Sequence, residues 1–404
     1  MIKGKDIIVF GIQPWDIEIG SNCKNIATEF AKNNRVLYVN SPLDFISKFK
    51  ERKTEKIKKR LRVKKGIEPD LIEVMPNMWN LYPKKEIGSI NWLKSKKLFD
   101  FFNRRNAEKL ANEIRNAVNR LGFKNYILFN DSSMFLGLYL KELIQPAAYV
   151  YYMRDYLTKN PYWKKHGVRL EPQLIKKADV VVNNSVLYTE YGLQFNKHSY
   201  MVGQGCDTSL FDNEKRKIEI AEELKSIPKP IIGYVGFLTA RRLSIEIIQN
   251  MAEQKKEWSI VLVGPEDETF KNSKLHQLKN VYFLGSREGS VLPNYIQGFD
   301  IAMNPQLIND ATIGNYPRKI DEYLAMGKPI LATATKAMEY FKDYTYLGVA
   351  KEDYIFLAEK ALNEDSKELQ HARRKFGTSH SWENNVLEIY KAILKVAEEK
   401  NIKV

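Results

Sequence analysis

The stretch IIGYVGFLTARRLSIEIIQNMAEQKKEWSIVLVG, residues 231–264, reads as strand, helix and strand in succession. Ile231 to Gly236 is a short apolar run behind Pro228-Lys229-Pro230, Ser244 to Gln254 has the length and start signal of a helix, and Ser259 to Gly264 is a second apolar run. Strands apolar on both faces, separated by helices, predict a parallel sheet covered on both sides. The alternation continues downstream. Val281 to Gly285 and Asp300 to Asn304 read as strands with a helix at Leu292 to Gln297 between them. Pro317 to Met326 follows as a helix with proline in its first turn, then the strand Pro329 to Thr333 and the helix Glu352 to Asn363.

Upstream the same grammar holds. Ile7 to Ile12 is a strand ending in a Pro-Trp turn, and Asn22 to Lys32 is a helix with Ile26, Ala27, Phe30 and Ala31 on one face. Val36 to Val39, Tyr126 to Phe129, Ala147 to Met153 and Val180 to Val182 are further strands, and Lys94 to Arg120 is a long helix. A charged stretch at 211–228 interrupts the pattern before it restarts. The expected organisation is α/β: two doubly wound, Rossmann-like domains facing a cleft. Their expected limits are 1–210 and 229–378, with a linker at 211–228 and an amphipathic helix at 379–404 returning to the first domain.

The chain has 404 residues, enough for two or three domains, and 44% hydrophobic with 28% charged residues excludes wholesale disorder. Two cysteines, Cys23 and Cys206, exclude a disulfide scaffold and a four-cysteine zinc site. No signal-peptide pattern and no apolar run of spanning length is read, so the expectation is a soluble intracellular protein. The net charge is +15, and Lys48 to Lys65 alone holds eleven Lys or Arg against Glu51 and Glu55. Trp79, Tyr82, Trp92, Phe99, Phe101 and Phe102 follow it. Basic residues mixed with aromatic ones suit an anionic membrane surface. No zinc-finger spacing, RNP-type strand or recognition helix accompanies the charge, so nucleic acid is not expected as a partner.

In open α/β sheets ligands bind beyond the carboxyl ends of the strands. Three strand ends of the second half carry glycine: Gly236 before Arg241-Arg242, Gly264 before Pro265-Glu266-Asp267, and Gly285 before Ser286-Arg287. Glycine admits a ligand to the backbone, and arginines there make an anion site. The segment from Tyr316 to Pro329 is the densest constellation. Lys319 in a helix's first turn adds a cation to the positive end of the dipole, and Glu322 shares its face three residues on. A cation for phosphate and a carboxylate for ribose hydroxyls fit a nucleoside diphosphate; the bland alternative is a surface ion pair.

Pro317-x-Lys-x-x-Glu-Tyr-Leu-Ala-x-Gly-Lys-Pro-Ile-Leu-Ala-Thr333 resembles the donor-site motif of GT-B glycosyltransferases, near the large family 4. Phe10-Gly-Ile-Gln-Pro-Trp15 looks like the opening of these enzymes, and Tyr151-Tyr-Met-Arg-Asp155 with Glu171 and Ala178 to Ser185 is similar to their approach to the cleft. Gly203-Gln-Gly-Cys-Asp207 and Phe211 resemble the turn closing their first domain. The resemblance implies a metal- and cofactor-free transferase moving a sugar from a nucleotide sugar, most readily a UDP-sugar, to a glycan or polyprenyl-linked acceptor. Its context would be bacterial capsule, exopolysaccharide or lipopolysaccharide synthesis at the inner face of the cell membrane. Carried over by position, Gly236, Arg241, Arg242, Gly264, Ser286, Arg287, Tyr316, Lys319 and Glu322 would hold the donor. Trp15 and Asp16 would meet the acceptor.

Two positions depart from the pattern. Retaining members usually have an acidic residue eight positions before the helix glutamate, where this chain has Gly314, and Gln204 stands where asparagine is common. An inverting reaction needs a base, and Asp155, just after a strand, is the candidate; Asp16 and His166 are weaker ones. The competing readings are an epimerase on the same fold, which would consume a nucleotide sugar without an acceptor, and a non-catalytic binding protein.

Overall fold

Strands buried at every position organise both halves of the chain. The computed structural model describes residues 1–16, 21–50 (backbone only at 50), 54–309, 312–314 and 316–404, so part of the Lys48 to Lys65 stretch and position 315 lie outside the described residues. In chain order the first half runs β1 (Asp6–Gly11), α1 (Asn22–Ala31), β2 (Arg35–Val39), α2 (Phe45–Lys50), α3 (Glu55–Lys64), β3 (Leu71–Met75), β4 (Met78–Leu81), α4 (Lys96–Leu121), β5 (Ile127–Asp131), α5 (Gly137–Ile144), β6 (Ala148–Met153), α6 (Pro161–Lys177), β7 (Val180–Asn183), α7 (Val186–Leu193) and β8 (Ser199–Met201). The sheet order is β3-β4-β2-β1-β5-β6-β7-β8. Every pairing is parallel except β3 with β4. That edge hairpin, turning at Asn77 with φ of 64°, is not foreseen from the sequence because its first strand is only half-buried.

The second half runs β9 (Ile231–Val235), α8 (Ile245–Gln254), β10 (Ser259–Val263), α9 (Glu268–Lys271), β11 (Val281–Gly285), α10 (Leu292–Gly298), β12 (Ile301–Asn304), α11 (Arg318–Ala325), β13 (Ile330–Thr333), β14 (Tyr346–Gly348), α12 (Asp353–Glu364) and α13 (Lys367–Ser379), followed by α14 (Trp382–Lys400). Its sheet is wholly parallel in the order β11-β10-β9-β12-β13-β14. In both sheets the strand order reverses near the first strand, which places the switch-point crevices at the ends of β1 and β9.

The chain divides into two compact units, 1–203 with 382–404 and 204–381. Residues 211–228, expected as a linker, belong to the second unit. Phe211, Ile218, Leu224 and Ile227 are buried in its core with Tyr295 and Phe299, because apolar side chains recur inside the charged stretch. The helix α14 lies in the first unit, where Val386, Ile389, Tyr390, Ile393 and Val396 pack with Ile26 and Phe30 of α1. The Tyr390 ring stacks on Phe30 at 5.5 Å, and its hydroxyl accepts from Asn34 Nδ2 at 2.9 Å.

Candidate functional site

The strand ends of the second unit bring most of the expected donor residues together. Gly236 and Gly264 end β9 and β10 with φ of 140° and 151°. A Cβ on Gly264 would lie 1.9 Å from the Gly236 carbonyl oxygen, and one on Gly236 would lie 3.2 Å from Lys319 Nζ. Two backbones and a lysine therefore meet at a point where no side chain fits. Lys319 enters from the first turn of α11, whose N-cap position is Pro317, one residue later than the sequence pattern predicts. Its Nζ donates to Tyr234 Oη at 3.0 Å and sits 4.7 Å from that ring's centre. It is bonded to a neutral hydroxyl rather than to Glu322. Burial pushes the Glu322 carboxyl above the usual range, while Arg318 and Lys319 nearby pull it back.

The loop after β9 is held by the loop after β10. Leu238 N donates to Pro265 O at 2.8 Å, Asp267 N to Leu238 O at 2.9 Å, and Ala240 N to Asp267 Oδ2 at 2.9 Å. Asp267 also caps α9 through Phe270 N, and these backbone donors help hold its carboxyl below the usual range against burial. Arg241 and Arg242 are exposed in the turn just ahead of the α8 cap Ser244. No side chain among the described residues pairs with either guanidinium. Arg241 and Arg242 in the loop after β9 and Lys319 in the first turn of α11 thus put three cations on segments that follow strand ends of one sheet, a charge that suits an anion.

Three positions stand differently from the expectation. The Arg287 guanidinium is occupied, donating to Tyr295 Oη and Glu223 Oε1 at 2.6 Å each, rather than open to a ligand as expected. Tyr316 is 4% exposed and turns inward, its hydroxyl donating to Asp321 Oδ1 at 3.1 Å. His166 is a core residue: its ring stacks on Phe99 at 3.7 Å and Nε2 lies 3.0 Å from Leu93 O.

In the first unit, Asp155 follows β6 with its side chain 45% exposed and accepts from Arg154 Nη1 at 2.6 Å. Arg154 is buried and also donates from Nε to Asp131 Oδ1 at 2.8 Å. Asp131 ends β5 and is fully buried. Two carboxylates on one guanidinium fix the direction in which Asp155 faces. The Asp131–Arg154 pair is missing from the sequence reading, although an Asn-Asp at a strand's carboxyl end is a legible signal. Trp15 and Asp16 are both engaged. The Trp15 ring meets Tyr38 edge-on at 5.4 Å and lies under Lys24, and its backbone N–H donates to Asn40 Oδ1. Asp16 pairs at 3.2 Å with Arg60, a largely buried residue of α3. The basic stretch is thus anchored through one of its own arginines to the loop after β1.

Of the aromatics that follow that stretch, Tyr82 and Phe99 are core residues, contrary to the membrane-facing expectation, because they lie on the inner faces of their segments. Trp92 is 70% exposed, and Phe101 and Phe102 are also exposed. Phe45 and Phe49 on α2 add to these, Phe49 being 71% exposed. No helix of the described residues is long and apolar enough to cross a membrane.

A second buried cluster escapes the sequence reading. Asp321 on α11 is fully buried and lies 2.7 Å from His380 Nδ1, while Tyr340 Oη lies 3.1 Å from His380 Nε2. Burial raises the Asp321 carboxyl above its usual range. These contacts tie the helix bearing Lys319 and Glu322 to the end of α13.

The family model described as Glycosyl transferases group 1 matches residues 229–363. TuaH of Bacillus subtilis (strain 168), provisionally named a teichuronic acid biosynthesis glycosyltransferase, is 26% identical over 227 residues, or 52% of this chain and 56% of the relative. The match thus spans little more than half of that relative's length. Sucrose-phosphate synthase from Thermosynechococcus elongatus superposes with a TM-score of 0.64 at 14% identity, covering 98% of this chain and all of the other. Anabaena Alr3699/HepE, solved in complex with UDP, gives 0.64 at 13% identity over 97% of this chain and all of that one. The same Anabaena protein was solved with UDP-glucose and gives 0.57 at 15% identity over 98% and 99% of the two chains. The shared architecture is GT-B.

Proposed function

We propose that the chain is a group 1 glycosyltransferase, and that it transfers a sugar from a UDP-sugar to a glycan or lipid-linked acceptor in bacterial surface-polysaccharide synthesis. The observation that carries the reading is Lys319 at the Gly236–Gly264 contact where β9 and β10 end, with Arg241 and Arg242 exposed in the loop that follows β9. As the glycosidic bond breaks, negative charge collects on the departing diphosphate. Cations and the N-terminus of α11, fixed in place before the reaction, stabilise that charge more than they stabilise the ground state. This route uses no metal. Glu322 would accept from ribose hydroxyls and Ser286 would lie beside the base. UDP is preferred because the Anabaena protein of the same fold holds it.

On the acceptor side Asp155 is the proposed base, aimed by Arg154. TuaH supports the polysaccharide context. The basic stretch Lys48 to Lys65 would place the first unit on an anionic inner membrane face, where each Lys or Arg is worth about 1 kcal/mol. Nucleic acid is not proposed as a partner.

The test is calorimetry with UDP, GDP, CDP and ADP on wild type and Lys319→Ala. UDP should bind best, and the variant should bind it at least ten times more weakly. Equal binding of all four, or of none, overturns the reading. UDP-sugar consumption that needs no added acceptor would point to an epimerase instead.

A further inference from the structure

We infer that a cavity between α6 and α7 of the first unit is a subsite for one pyranose ring of the acceptor, so that the enzyme extends a chain already ending in a sugar. The inference rests on the transferase reading and deepens it. The cavity has a volume of about 200 Å³ and lies beside the carboxyl end of β6, where Met153 and Asp155 line it. Its walls are Tyr156, Tyr188 and Tyr191. Tyr156 lies edge-on to Tyr188 with ring centres 6.2 Å apart and is tilted against Tyr191 at 6.4 Å.

Glu171 of α6 also lines the cavity and is 2% exposed. Its Oε1 accepts from Tyr151 Oη at 2.8 Å, and no cation among the described residues pairs with it. Burial pushes its carboxyl up to about 7. A carboxyl sunk among tyrosines with one hydrogen bond costs the fold stability, so its place beside a cavity points to a ligand.

The chemistry of the walls identifies that ligand. A pyranose has an apolar face of C–H groups, which packs on aromatic rings, and an edge of hydroxyls, which donate to carboxyl oxygens. Apolar rings with a few fixed polar groups form a small-molecule site rather than a solvated surface. Asp155 lines the same cavity, so a ring seated there would present a hydroxyl to the proposed base. A phosphate or diphosphate fits poorly, because the carboxyls of Asp155 and Glu171 line the site. The first sugar on a lipid phosphate would therefore come from a separate transfer reaction, and this chain would act after it.

The experiment is saturation-transfer NMR on the full chain with the methyl glycosides of glucose, galactose, N-acetylglucosamine and N-acetylgalactosamine. UDP is titrated into the same samples. At least one glycoside should receive saturation from wild type, lose it in Tyr191→Ala and keep it in Tyr191→Phe, which retains the ring. Glu171→Gln should weaken that sugar severalfold, and UDP binding should be unchanged throughout. If wild type binds UDP but no glycoside, or if sugar binding survives both Tyr191→Ala and Glu171→Gln, the subsite is overturned and the donor reading stands. Failure of wild type to bind UDP counts against the donor reading alone.

Discussion

Glu171 is a carboxyl where an apolar side chain would stabilise the fold more. In the unfolded chain it titrates near the ordinary glutamate value, and in the fold burial raises it to about 7. A raised carboxyl binds its proton more tightly when folded, so its contribution is fully present below pH ~4.5 and is lost as pH rises through about 7. The full difference across that window is about 3 kcal/mol, an order-of-magnitude figure. Glu171→Gln keeps an oxygen for the Tyr151 hydroxyl and has nothing to ionise. Urea unfolding at pH 5 and pH 8 should show the variant's stability changing less than wild type's, with the variant the more stable protein at pH 8. A wild type whose stability does not fall relative to the variant over that window would mean that Glu171 is not desolvated. Residue identity was legible in the sequence only where chemistry depends on chain neighbours. Lys319 and Glu322 lie on one helix, so their spacing alone makes them a candidate pair. Arg287 looks free in sequence, yet its partner Glu223 lies 64 positions away. Asp131 and Arg154, 23 apart, were hidden for the same reason.

At the scale of elements, α3 explains how the basic stretch is used. Ile57, Arg60 and Val63 face inward, and Arg60 reaches Asp16, while Lys58, Lys64 and Lys65 remain exposed. The helix therefore has an anchored face and a cationic one. Lys64 also shares Glu86 with Lys48 of α2, at 2.8 Å and 3.0 Å, which joins the two basic helices through one carboxylate. Reversing Lys56 and Lys65 to Glu changes the charge by four units without touching Arg60 or Glu86. At about 1 kcal/mol per charge, binding to vesicles with 30 mol% phosphatidylglycerol should fall roughly a hundredfold or more, with UDP binding intact. Co-sedimentation unchanged by the reversal, or equal on neutral vesicles, would remove the membrane assignment. The strands were legible because a strand buried on both faces is an uninterrupted apolar run. The helix α13 was not, since its buried residues are Arg373 and Gly377 and no apolar stripe announces it. The residue Gly377 is there because Leu324 and Ala325 of α11 pass within 2.5–2.7 Å of where a Cβ would stand, a contact between helices that periodicity does not register.

For the whole molecule, the division of the chain makes a prediction about where ligand stability appears. Residues 204–381 hold the cationic strand ends and the Asp321–His380 contact, and residues 1–203 with 382–404 hold Asp155, Glu171 and the basic helices. A ligand that binds only the native state adds RT ln(1 + [L]/Kd), about 2.7 kcal/mol at a hundred times its Kd. Hydrogen exchange reports where this stabilisation is expressed, because local opening is suppressed most where contacts are gained. With UDP at that excess, the amides gaining most protection should be those of residues 236–242, 264–267 and 318–323, the last including the α11 turn that bears Lys319. Peptides reaching 380 should gain a smaller protection, passed on through the Asp321–His380 contact, and His380→Ala should abolish that share while leaving the strand-end loops protected. Protection confined to residues 1–203 would place the nucleotide in the wrong unit. Protection of the strand-end loops with none at 380 would keep the donor site and remove only the coupling through α11.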